Sequence, residues 1–121
     1  MIEASFLYLL VVKHAIADLA LQSLIKGGDK LDLRSWKGYR HALDHAALTL
    51  LVASWFIPPQ AAVMLAALDF ALHFWIDYAK SLYVRRKAIT MDNQRFWPLQ
   101  SLDQIAHFTC YLLYTFLVYT Y

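Results

Sequence analysis

Four long apolar segments make up most of this chain, and each is broken by a histidine with an aspartate or a second histidine four residues away. The first segment, 4–25, carries His14 and Asp18, with Lys13 beside them. The second, 36–57, carries His41 and His45, with Asp44 next to His45. The third, 60–83, carries Asp69, His73 and Asp77, and the fourth, 99–121, carries Asp103 and His107. Each is close to the roughly 20 residues that cross a bilayer as a helix. Punctuation supports these bounds: Gly27-Gly28 closes the first segment, Ser35 is placed to cap the second, and Pro58-Pro59 and Pro98 precede the third and fourth. Only 46–57 of the second segment is cleanly apolar, so Trp36 to His45 must supply its first turns. The expected fold is all-α, a four-transmembrane-helix up-down bundle forming one integral membrane domain over 1–121.

Composition points the same way. Apolar residues are 60% of the chain and charged residues 17%, against roughly 45–50% and 25% in soluble domains. A chain of 121 residues has room for one domain and cannot hide that much apolar surface in a soluble monomer. The balance excludes a disordered tail. A formal charge of +2 gives no reason to expect a nucleic-acid partner. Cys110 is the sole cysteine, which excludes an internal disulfide and a cysteine zinc site. The N-terminal run is not read as a signal peptide, because Glu3 occupies the place of a basic region. The alternative to a membrane protein is a very apolar soluble bundle that oligomerises.

Charge sets the expected orientation. Lys26, Lys30, Arg34, Lys37 and Arg40 fall in one connection, and Lys80, Arg85, Arg86, Lys87 and Arg95 in the other, while the 57–60 connection has no basic side chain. By the positive-inside rule both long connections face the cytoplasm and both termini face out, in the bacterial inner membrane. Trp36, Trp55, Phe56, Trp97, Tyr119 and Tyr121 crowd the segment ends as an interfacial belt does. Arg85-Arg86-Lys87 reads as a topology signal that meets anionic lipid.

The ionisable pairs carry the functional reading. A spacing of four places both side chains on one helix face, a turn apart. At 1.5 Å per residue, Asp18, His45, His73 and His107 lie about 12, 15, 10 and 13 Å from the cytoplasmic end. Four segments thus bring their pairs to one depth, where a charged group costs roughly 2.5–3.5 kcal/mol on insertion scales and must face the interior with a partner. A divalent cation accepts neutral imidazole and ionised carboxylate together, and a set without cysteine suits zinc first, then manganese or iron. The candidate metal ligands are His14, Asp18, His41, His45, His73, Asp77, Asp103 and His107. They exceed one tetrahedral set, so one or two ions are expected. Asp69 is the weakest further candidate, with pairing to Lys13 as its alternative, and Asp44 has the alternative of a charge favoured by the helix N-terminus.

Four stretches together bear a family likeness: H-A-I-A-D-L-A-L-Q at 14–22, K-x-x-R-H-A-L-D-H at 37–45, H-F-W-I-D-Y-A-K at 73–80 and L-D-Q-I-A-H at 102–107. In this order they resemble a family of small prokaryotic and phage membrane proteins of unknown function. The set is also similar to membrane-bound metal-dependent hydrolases and, more remotely, to the zinc-dependent phospholipase C and single-strand nuclease superfamily. That resemblance implies a phosphodiester hydrolase with clustered zinc, and His14, Asp18, His45, His73, Asp77, Asp103 and His107 as ligands or catalytic groups. No clear match exists to the terminal-amine zinc ligand of the soluble enzymes, which leaves the number of metals open.

The expected function is a membrane-embedded, metal-dependent hydrolase acting on a phosphodiester or lipid-like substrate. A metal would lower the pKa of a bound water to around 7 and polarise a phosphoryl or acyl oxygen. Asp77 or Asp103 would move the proton, and Lys80, with Arg40 and Lys37, would hold a phosphate. The lipid bilayer is the expected partner, with a homo-oligomer as a further expectation left open. Two other classes stand beside it: an ion or metal transporter, and a metal-stapled, non-catalytic interaction protein. A di-iron carboxylate oxidase fits less well, because Glu3 is the only glutamate.

Overall fold

The computed structural model describes residues 1–25 and 28–120. Lys26 and Gly27 of the first connection and Tyr121 of the aromatic belt lie outside the described residues. Helix α1 spans Ile2–Ala15 and continues through a π-helical stretch, Ile16–Leu21, and a 3-10 turn, Gln22–Leu24. Helices α2, α3 and α4 span Trp36–Ala53, Pro59–Arg86 and Phe96–Thr120. The described residues contain no strand. Helix α1 packs on α2 and α4, and α3 packs on α2 and α4, so the four close a ring around one axis.

The helix ends follow local chemistry. Ser35, in extended conformation, caps α2 by accepting from the Lys37 amide at 3.3 Å, and accepts the Asp29 amide at 3.0 Å. Gly28 holds φ +78°, and a Cβ there would collide with the same Ser35 hydroxyl. Gly28→Ala is therefore expected to destabilise the protein by about 1–2 kcal/mol, the left-handed penalty alone, read as a lower unfolding midpoint in detergent. An unchanged midpoint would show that this turn does not fix the start of α2.

Three bounds differ from the sequence expectation by three residues or more. Helix α2 stops at Ala53 rather than 57, and 3-10-type bonds from Trp55 to Val52 and Phe56 to Ala53 finish it. Pro58 disfavours helical geometry in the residue before it, which unwinds this last turn. Helix α3 runs to Arg86 rather than 83 and ends in a Schellman pair, with Ile89 N–H on Val84 O and Ala88 N–H on Arg85 O. Ala88 supplies the left-handed residue at φ +48°. Helix α4 starts at Phe96, before Pro98 rather than after it. The first helical turn needs no amide from proline, and the Asn93 side chain accepts the Arg95 amide ahead of it.

Polarity along the axis is layered. At the end nearest the Pro58-Pro59 turn, Phe6, Leu10, Ala53, Ala62, Leu65, Tyr111 and Tyr114 form the apolar core. The rings of Phe56 and Tyr119 stand edge-on to Phe6 at 5.2 and 5.9 Å. The middle holds Lys13, Thr49 and Asp69, and the histidines follow. Large apolar side chains lie on the outer surface: Leu51, Met64, Leu112 and Trp97 are exposed, and Trp55 is 81% exposed, while Lys13, Asp69 and His45 are buried. Of the four expected spans, two helical stretches, Ile2–Leu24 and Pro59–Arg86, are long and apolar enough to cross a membrane. Helices α2 and α4 carry their polar groups within shorter apolar runs.

Candidate metal centre

All eight candidate ligands converge. Helix α1 supplies His14 and its π-helical continuation Asp18; α2 supplies His41 and His45; α3 His73 and Asp77; α4 Asp103 and His107. π-helical stretches gather at functional sites, and this one carries the carboxylate that three imidazoles meet. Asp18 lies 3.0 Å from His14 Nε2, 3.2 Å from His41 Nε2 and 2.8 Å from His45 Nε2. Asp77 lies 3.4 Å from His41 Nε2, 3.4 Å from His73 Nε2 and 3.2 Å from His107 Nε2. Asp103 Oδ1 is 3.4 Å from His107 Nε2. All five Nε2 atoms thus face a carboxylate in one shared interior.

Three groups of these side chains could each hold an ion, with their ligand atoms within 4.8 Å of one another. They are Asp18, His41, His45 and His73; His14, His73 and His107; and Asp77, Asp103 and His107. The first and third share no residue. Four donors match a closed tetrahedral site, and three donors leave a position for water or substrate, the pattern of catalytic sites.

His73 is the strongest test of fit. It is 2% exposed and stacked between His45 at 3.5 Å and His107 at 4.1 Å. Neither of its ring nitrogens makes a hydrogen bond among the described residues, since its 3.4 Å approach to Asp77 is misaligned. Asp103 Oδ1 and His41 Nδ1 are likewise buried without hydrogen bonds. Buried polar atoms ordinarily have partners, and nitrogen and carboxylate atoms left over on members of these donor groups suit a cation.

The outward nitrogens have supports of the kind that orient metal ligands. His14 Nδ1 is 2.7 Å from the Tyr111 hydroxyl. Lys13 Nζ donates to His45 Nδ1 at 3.3 Å, so His45 carries its proton on Nε2 and donates it to Asp18. Ion uptake by His45 must displace that proton. Lys13 also pairs with Asp69 at 2.8 Å, and Asp69 accepts from Thr49 at 2.6 Å and Tyr114 at 3.0 Å. Asp69 is thus the counter-ion of Lys13, outside all three groups.

Two lysines approach at this end, Lys30 from the first connection and Lys80 from the last turns of α3. Lys80 Nζ lies 3.0 Å from Asp103 Oδ2, and Lys30 Nζ 3.0 Å from Asp77 Oδ2. Both line a cavity of about 820 Å³ at this end of the bundle, with Lys37 and Arg85 also in its wall. Arg40 instead pairs with Asp44 at 3.2 Å and takes no part in that wall. Arg85 binds Asp29, which holds the Asp29 carboxyl below the usual carboxylate range. Lys30, Tyr111, Thr49, Tyr114 and Gln104, whose Oε1 lies 3.1 Å from His14 Nε2, are site residues that the sequence reading does not include. Spacing alone pointed to two of them: Tyr111 is four residues after His107, and Thr49 four after His45, each on its ligand's face.

Residues 6–121 match the family described as "Protein of unknown function (DUF3307)". No curated protein and no solved structure matches the chain.

Proposed function

Since the chain belongs to the DUF3307 family, whose description assigns no activity, we propose its function from the site itself: a membrane-embedded, metal-dependent hydrolase working from the cytoplasmic half of a four-span bundle. The apolar outer surface supports the membrane reading. Lipid solvates exposed Leu51, Met64 and Leu112, while charged groups turn inward and pair, as they do inside bilayers. With the basic connections facing the cytoplasm, both termini face out.

One observation carries the hydrolase reading: a buried set of three imidazole and carboxylate donors, Asp77, Asp103 and His107, lies against lysines that line an open cavity. When bound there, a divalent ion of the zinc, manganese or iron class supplies Lewis acidity and lowers the pKa of a bound water. The chain's own groups do the rest. Asp103 keeps Oδ1 free of hydrogen bonds, available to accept a proton, while Lys80 and Gln104 anchor its Oδ2 at 3.0 and 3.2 Å. Lys80 has donors to spare for an anionic oxygen beyond those it gives Asp103 and Gln100. The apolar core at the opposite end argues against a transporter, since an ion path would have to pass Phe6, Leu10 and Leu65.

The test is hydrolysis of bis-p-nitrophenyl phosphate by protein in phosphatidylcholine nanodiscs with zinc or manganese. Metal-dependent turnover is expected, abolished by chelation and restored by re-addition. Asp103→Asn should lower the rate by at least the roughly 10²–10⁴-fold worth of a positioned acid or base, because it also removes a donor to the ion. Metal uptake without turnover on phosphate diesters, monoesters or acyl esters would replace this reading with a non-catalytic metal staple.

A further inference from the structure

A second cavity bears on what the site takes. Between α1 and α4 lies a slot of about 390 Å³, walled by Val11, Ala15, Leu19, Met91, Trp97 and Phe108. Its polar floor includes His14 and Asp18, two of the candidate ligands. The slot and the basic cavity share two wall residues, Phe96 and Gln100. One compartment is therefore cationic, the other apolar, and both volumes fall in the roughly 300–1,000 Å³ range of ligand pockets.

Resting on the hydrolase reading, we propose that the substrate is an anionic amphiphile with a single alkyl chain. Its phosphate-type head sits in the basic cavity, and its tail lies in the α1–α4 slot. Charge complementarity selects the head. Lys30, Lys37, Lys80 and Arg85 face the cavity against Asp29, and two of these lysines also touch Asp77 and Asp103. An ammonium group offers three donors, so a lysine that binds a carboxylate retains donors for a phosphate oxygen. The apolar walls select the tail, because an alkyl chain, unlike a free phosphate or a sugar phosphate, packs against Val11, Leu19 and Phe108. The head-to-tail junction falls beside Gln100, the Lys80 partner that both compartments share. That places a phosphoester bond next to the donors of the candidate metal centre.

Trp97, in the slot wall and 64% exposed, makes tail binding observable. The probe is dodecyl phosphate brominated along its chain, added to full-length protein in phosphatidylcholine nanodiscs after Trp36→Phe, Trp55→Phe and Trp75→Phe. Bromine quenches indole fluorescence at contact. Saturable quenching of Trp97 is expected at probe levels where the brominated trimethylammonium analogue quenches at least tenfold less. Excess inorganic phosphate should fail to reverse it. Lys37→Glu with Arg85→Glu should raise the half-saturation at least tenfold. Ala15→Phe should remove the quenching by filling the slot, while circular dichroism confirms that both variants remain folded. Equal quenching by the two headgroups, or quenching linear in bilayer bromine, would overturn the assignment. The titration is run on chelator-treated protein, which separates the two readings. Head-selective binding in a protein that never takes up metal sinks the hydrolase and leaves the amphiphile site standing. Turnover without head selectivity sinks the amphiphile site alone.

Discussion

Detergent-purified protein is expected to hold two divalent ions per chain, one for each of the two donor groups that share no residue. His73→Ala removes a donor from the four-residue group, and Asp103→Asn removes one from the three-residue group, so each variant should lose one ion and keep the other. The loss in affinity should exceed the roughly 10–100-fold that changes to a ligand's supporting hydrogen bonds cost. Elemental analysis reads the stoichiometry. The pH dependence has a definite sign. His45 donates its Nε2 proton to Asp18, and His14 Nε2 sits 3.0 Å from the same carboxylate, so ion uptake expels protons. Affinity should therefore rise with pH and collapse in acid, where imidazoles hold their protons against the metal. Chelation should lower the unfolding midpoint, since a ligand present at 100 times its Kd contributes about 2.7 kcal/mol. Parent protein free of metal after purification in metal-supplemented buffer would end the metal-centre reading.

The part of this site visible in the sequence is the part governed by one helix at a time. An i,i+4 spacing is a local property of α-helix, so His14 with Asp18 and His73 with Asp77 could be placed on shared faces before any packing was known. Helical rise then gave depth, and depth put the four pairs at one level. Lys13 and Asp69 were legible as a pair for a related reason: each is a charge inside an apolar run and needs the other. Rotation about the helix axes is not written in any single segment. It decides that His41 reaches both Asp18 and Asp77, and that Tyr111 backs His14. The reach of Lys30 to Asp77 depends on how an irregular connection folds back over the bundle, which no periodicity records.

Helix ends divide along the same line. Ser35 capped α2 as its type and position implied. Pro58-Pro59 marks the connection, and its influence extends backward and ends α2 at Ala53. Pro98 points to a start at 99, but a first-turn proline lacks nothing the helix requires, so α4 begins at Phe96. The π-helical stretch at Ile16–Leu21 has no counterpart in composition or spacing.

Lys13→Met should destabilise the bundle more than any other single change outside the donor groups. The substitution leaves the Asp69 carboxylate buried, 2% exposed, with only the neutral donors Thr49 and Tyr114. Stranding one member of a buried ion pair costs about 3–5 kcal/mol. Asp69→Leu alone should cost a similar amount, because the Lys13 ammonium then keeps only His45 and the face of Tyr111 at 4.7 Å. The double change Lys13→Met with Asp69→Leu removes both charges and replaces them with apolar groups. Such replacements are often neutral or stabilising, so most of the loss should return. The resulting coupling should stand well outside the roughly 0.3–0.5 kcal/mol scatter of independent sites. Equilibrium unfolding in nanodiscs measures all four corners of the cycle, and additive effects below about 1 kcal/mol would show that the pair is not the tie between α1 and α3. Neither residue belongs to a donor group, so the double variant should still bind both ions. If it folds as the parent does yet loses metal, Lys13 acts on the centre through His45, because the substitution removes its contacts with His45 Nδ1 at 3.3 Å and with the His45 carbonyl oxygen at 3.4 Å.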